Sequence, residues 1–101
     1  MHLVQILLPL ADNQRHPFSR DVFDAVAREM TERFGGVTAH TRAPAEGRWA
    51  PMGAHHAEEM VVIEVMVVKL DEDWWHTYRA SLEEVFRQER IIVRATAVQL
   101  L

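Results

Sequence analysis

The sequence predicts an α+β sandwich, one antiparallel four-stranded sheet with two helices packed on one face. Four separate stretches carry strand-like apolar patterns, with residues two apart sharing a face. Between the first and second of these, and again between the third and fourth, the apolar spacing changes to three and four, as a one-sided helix requires. The resulting order is strand–helix–strand, twice over.

LVQILLPL, residues 3 to 10, is the first strand. Val4, Ile6, Leu8 and Leu10 share one face, and Leu3, Gln5 and Leu7 the other. Pro9 lacks a ladder donor, so regular pairing should end near it. A polar connection, ADNQRHP, follows. The first helix should begin near Ser19, which can cap it, with Phe18 placed to pack on Phe23 as a hydrophobic staple. Val22, Phe23, Val26, Ala27, Met30 and Phe34 mark its packing side, and Gly35 with Gly36 supplies a stop. VTAHTR, residues 37 to 42, is the second strand.

MVVIEVMVVKL, residues 60 to 70, is the strongest strand signal because β-branched residues dominate it. Val61, Ile63, Val65 and Val67 can face the helices. The second helix should start near Asp71, with Leu70 and Trp75 placed for another staple. Trp75, Tyr78, Leu82, Val85 and Phe86 form its packing side. Arg79 with Glu83, and Glu83 with Arg87, are four-residue neighbours on its wetter side. IIVRATAVQLL, residues 91 to 101, closes the pattern. Two strand–helix–strand units make the ferredoxin-like arrangement, with expected strand order 4-1-3-2. No linker interrupts residues 1 to 101, which read as a single domain.

Composition excludes several function classes. At 101 residues, 49% apolar, the chain can build a core that buries roughly two-thirds of its unfolded surface. It has no cysteine, which removes disulfides, thiol catalysis and cysteine-based zinc sites, and suits a reducing cytoplasm. MHLVQILLPLAD reads as a strand rather than a signal peptide, and no apolar run approaches a membrane span. A formal charge of -4 gives no broad attraction to nucleic acid or anionic lipid. No partner of either kind is expected.

The strand order brings together residues that lie far apart in the chain. If helices cover one face, Gln5, His40, Glu64 and Arg94 all point to the other. Arg94, Gln5, Glu64 and His40 would then stand in a row across neighbouring strands. Glu64 and His40 could exchange protons with a ligand, Arg94 could hold a carboxylate, and Gln5 could orient either. Leu3, Leu7, Val62, Met66 and Val68 surround the row, an apolar patch that a twofold homodimer meeting through the open sheet faces would cover. In such a contact the polar residues must pair, Arg94 with Glu64 among them.

The stretch RAPAEGRWAPMGAHHAEE, residues 42 to 59, joins the middle strands. Trp49 within it could cover a ligand or tack the loop down. His55, His56, Glu58 and Glu59 carry metal-ligating atoms, but adjacent histidines in a loop define no third ligand, so no metal site and no cofactor is expected. Trp74 falls beside the inward stripe of the second helix and is expected near a subunit edge. Gly35 and Gly36 lack the companions of a phosphate loop.

FGGVTAHTRAPAEGRW, VVIEVMV, DEDWW and FRQERIIVRA together resemble a group of small, uncharacterised bacterial proteins. The architecture is similar to that of the dimeric α+β barrel proteins, which include cofactor-free oxygenases, haem-related enzymes, isomerases and ligand-sensing domains. That resemblance implies a compact stand-alone domain and assigns no active residue. The sequence-level expectation is therefore a homodimeric interaction or regulatory domain. Its alternative is a small-molecule enzyme, of isomerase or cofactor-free oxygenase type, with a pocket on the open sheet face.

Overall fold

The computed structural model describes residues 1–42 and 60–101, with side chains at positions 1–39 and 60–101. Its elements are β1 (His2–Pro9), α1 (Arg20–Phe34), β2 (Thr38–Arg42), β3 (Met60–Val67), α2 (Glu72–Val85) and β4 (Ile92–Ala97). The sheet order is β2-β3-β1-β4 and every neighbouring pair is antiparallel. This is the expected 4-1-3-2 read from the other edge, a ferredoxin-like sandwich. The sheet is open, with β2 and β4 as its two edges. That corrects the expected dimeric α+β barrel: among the described residues the sheet does not close and keeps β2 and β4 as free edges.

The core forms where the helices cover β1 and β3. Val4, Ile6 and Leu8 from β1 and Ile63, Val65 and Val67 from β3 are all buried on the helix side. Val26 and Met30 reach them from α1, and Trp75, Tyr78, Leu82 and Phe86 from the α2 region. Each fully buried side chain of this size contributes about 1.5–3 kcal/mol relative to exposure. Phe86 is 0% exposed. Its ring centroid lies 5.0 Å from that of Phe18 and 5.6 Å from that of Phe23. Phe18 and Phe23 themselves meet edge-on at 6.5 Å, so the staple at the entry of α1 also locks onto the end of α2.

The two helix starts differ. Asp71 caps α2, its Oδ1 accepting from the Trp74 backbone N–H at 3.1 Å. Ser19 holds the corresponding position before α1 but makes no side-chain capping bond. Gly35 ends α1 at φ 85°, donating its N–H to the Thr31 carbonyl at 2.8 Å. α2 ends without glycine, and Arg87 takes the left-handed conformation at φ 50°. Val85 turns outward and is exposed, so the packing side of α2 runs through Leu82 to Phe86 instead. β3 stops at Val67 and β4 at Ala97, each shorter than its apolar run, because Leu70 joins the core from the approach to α2 and the last residues leave the ladder.

Trp74 is part of an intramolecular aromatic group rather than an isolated edge residue. It stacks on Tyr78 at 5.0 Å, meets Phe34 edge-on at 5.5 Å, and carries the Arg33 guanidinium 4.1 Å above its ring. The Tyr78 hydroxyl is buried with no hydrogen-bond partner. Burial pushes its pKa up strongly, and the Glu29 carboxylate stands close enough to add to the rise without reaching hydrogen-bond geometry.

Asp12 organises the connection from β1 to α1. Its Oδ1 accepts from the backbone N–H groups of Gln14 at 2.8 Å and His16 at 2.9 Å, while Arg15 adopts φ 65°. Its Oδ2 lies 3.5 Å from the Arg87 guanidinium, tying this turn to the end of α2. The Glu83–Arg87 pair expected on α2 is thereby replaced. Glu83 keeps Arg79 at 3.8 Å and accepts the Ile91 N–H at 2.9 Å.

Candidate functional site

β1 is central in the sheet, so each of its residues has a partner on either side. Gln5 stands opposite Glu64 on β3 and opposite Arg94 on β4. All three side chains lie on the face away from the helices, since their neighbours Val4, Ile6, Ile63 and Val65 point inward and are buried. The three are directly bonded. Arg94 Nε donates to Gln5 Oε1 at 2.7 Å, and Gln5 Nε2 donates to Glu64 Oε2 at 2.6 Å.

Only one orientation of the Gln5 amide satisfies both contacts. Its oxygen must face the guanidinium and its NH₂ the carboxylate; the flipped amide would set donor against donor and acceptor against acceptor. Arg94 and Glu64 sit on strands about two 4.8 Å spacings apart, on either side of Gln5, so the amide dipole links cation to anion. Glu64 and Gln5 are half-buried while Arg94 is exposed. The row therefore presents a carboxylate and a guanidinium, held at a fixed separation, to whatever occupies the open face.

Thr38 is the β2 residue opposite Glu64. His40 lies two residues further along the same strand, opposite Val62, so it is diagonal to the row rather than at its end. Trp49 and the group His55, His56, Glu58 and Glu59 lie outside the described residues. Among the described residues no cluster of three or more His, Asp or Glu side chains has metal-binding proximity. The apolar surround is narrower than alternation alone implies: Val62 is buried, Leu3 and Leu7 are half-buried, and Met66 and Val68 are exposed. Ile92, opposite Leu7 and exposed, adds to it on β4. No described helix is long and apolar enough to cross a membrane.

Two solved structures share this fold. One is a phage SAM lyase in its apo state, with a TM-score of 0.61 and 16% identity, covering 94% of this chain and 78% of that one. The other is a phage SAM lyase in complex with S-methyl-5'-thioadenosine, with a TM-score of 0.56 and 20% identity, covering 94% of this chain and 79% of that one. No protein-family model and no curated protein sequence matches the chain. The expected relationship to an uncharacterised bacterial group is corrected by these structures: whole-chain likeness leads to SAM lyases, proteins with a stated activity. DEDWW opens α2: the Asp71 side chain caps the helix, and Trp74 and Trp75 meet edge-on in its aromatic group.

Proposed function

We propose that this chain is a small-molecule enzyme acting at the open sheet face, a lyase for an adenosyl sulfonium of the SAM type. The observation that carries the reading is the Arg94–Gln5–Glu64 chain of hydrogen bonds, on a fold similar over 94% of its length to lyases of that substrate. The interaction-domain reading gives way to this one. It accounts for the pairing of the row but not for the likeness to lyases over 94% of the chain.

SAM combines a sulfonium cation, a carboxylate and an adenosyl group, and the row complements the first two. Glu64 supplies negative charge for the sulfonium, and Arg94 supplies the planar fork that holds a carboxylate. Cleavage of the bond between sulfur and the amino-acid chain sends the bonding pair to sulfur, which leaves as the neutral thioether S-methyl-5'-thioadenosine. The carbon fragment balances the change either by losing a proton to a base or by closing on its own carboxylate. Neither route consumes water or a redox partner. Gln5 fixes the distance between the two charged groups, and His40, nearby on β2, is the second proton-exchanging candidate. Trp49 is the candidate cover for the adenine ring.

A second copy of the chain belongs in this picture. Leu7, Met66 and Ile92 form an apolar frame around the row, and a homodimer through the open faces would exclude water from it and strengthen its electrostatics. Calorimetric titration with a non-cleavable SAM analogue that keeps the carboxylate and carries an amine cation in place of the sulfonium tests the site. Binding that is weakened at least ten-fold in Arg94→Gln or Glu64→Gln supports it, and equal binding in both folded variants rejects it.

A further inference from the structure

The helix side of the sheet holds a cleft. Facing the helices, β4 presents Val93 opposite Ile6 and Ala95 opposite Val4. Ile6 and Val4 are buried at 0% and 1% exposure, yet Ala95 beside them is exposed and Val93 only half-buried. α2 therefore covers the centre of the sheet and leaves β4 open. The cause is local: alanine at position 95 is too short to reach the helix, so a gap remains where a leucine or isoleucine would fill it.

The gap is a cleft of about 300 Å³ between β4 and the first half of α2, at the lower end of the range for small-molecule sites. Val4, Val93, Ala95, Leu70 and the buried Trp75 give it an apolar floor. Its rim carries Glu72, His76 and Arg79 from successive turns of α2, with Arg94 at the β4 side. The α2 rim sets the Arg79 guanidinium and the His76 ring beside one carboxylate, that of Glu72. Arg79 is 44% exposed and its contact to Glu83, at 3.8 Å, is a loose one that a ligand can replace.

We propose that this cleft is a binding site for a small amphipathic carboxylate, an aryl or alkyl body against Trp75 and Ala95 with its anionic end at Arg79 and His76. The site is on the opposite face of the sheet from the Gln5–Glu64 row and does not depend on the lyase reading. Arg94 is common to both: it lines the cleft from β4, while its side chain projects to the open face, where Nε is bonded to Gln5.

The test is titration of the full chain, ¹⁵N-labelled, with 3-phenylpropionate, and in parallel with the neutral 3-phenylpropionamide, following the Trp75 indole and Ala95 amide resonances. Saturable shifts at both positions are expected with the carboxylate, at least five-fold tighter than with the amide. Arg79→Gln should remove most of that preference. Ala95→Leu should fill the cleft and abolish binding without unfolding, because position 95 is on an exposed edge strand. Equal affinity for the two probes, or unchanged binding in Ala95→Leu, overturns the proposal. So do shifts at Trp75 and Ala95 that follow protein concentration without any probe, since a second copy would then cover the cleft. Titrating the same samples with S-methyl-5'-thioadenosine separates the two sites, because its binding should survive Arg79→Gln.

Discussion

Gln5 and Glu64 face each other across the two central strands, with the amide nitrogen 2.6 Å from the carboxylate oxygen. The same amide accepts from Arg94 at 2.7 Å on its other side, so a single neutral side chain holds two opposite charges in place. Replacing it with leucine should leave both without this partner. Gln5→Leu is expected to lower urea-unfolding stability by about 1 kcal/mol, the net worth of a partly buried hydrogen bond to a charged group, partly offset by added apolar area. Affinity for a non-cleavable SAM analogue that keeps the carboxylate and a cation in place of the sulfonium should fall far more steeply than stability. A variant that binds normally would show that the row is structural only.

The helix caps give a matched pair. Asp71→Ala removes a bond to the Trp74 N–H and should cost about 1 kcal/mol, whereas Ser19→Ala removes none and should cost a few tenths at most. Thermal melts of the two variants side by side check this. Equal losses would mean that Ser19 caps α1 after all.

The buried hydroxyl of Tyr78 has lost its hydration without gaining a bond. Tyr78→Phe should therefore leave stability unchanged or raise it by up to about 1 kcal/mol, read from the urea midpoint. A clear loss would reveal a hydrogen bond to Glu29.

Asp12 supplies a pH signature. Its pKa lies below its ordinary 3.8, first because the His16 backbone N–H bonds the charged form, then through the Gln14 N–H and the charges of His16 and Arg87, against a smaller cost of burial. A carboxylate whose folded pKa is depressed stabilises the fold above the unfolded value and loses that contribution as pH falls through the folded one. The advantage of the wild type over Asp12→Asn should thus be present at pH 7 and shrink below about pH 4. Denaturation midpoints at the two pH values check the sign; an advantage that grows in acid contradicts it.

Much of this was legible in the residues. β-branched runs and period-two alternation give four strands, and the side of the sheet follows from counting, which places Gln5, Glu64 and Arg94 on one face before any register is known. The Phe18–Phe23 staple and the Asp71 cap are local, so a window of a few residues contains them. What stayed hidden depends on tertiary geometry. Asp12 matters because two non-glycine residues, Arg15 and Arg87, take positive φ, and no composition rule marks arginine for that. Arg33 on Trp74 joins two helices distant in sequence. His40 pairs in register with Val62 rather than with Glu64, since parity in the sequence does not set register. The helix-side cleft arises from one short side chain on an edge strand, and alternation treats Ala95 as any other inward residue.

The central claim is chemical and one assay addresses it. The purified full chain is incubated with SAM and the products are separated by chromatography and identified by mass. The account predicts steady formation of S-methyl-5'-thioadenosine, falling at least a hundred-fold in Glu64→Gln while the variant keeps its fold, a loss of about 2.7 kcal/mol in transition-state stabilisation. No thioether from the folded wild-type protein, or equal turnover by Glu64→Gln, would contradict it.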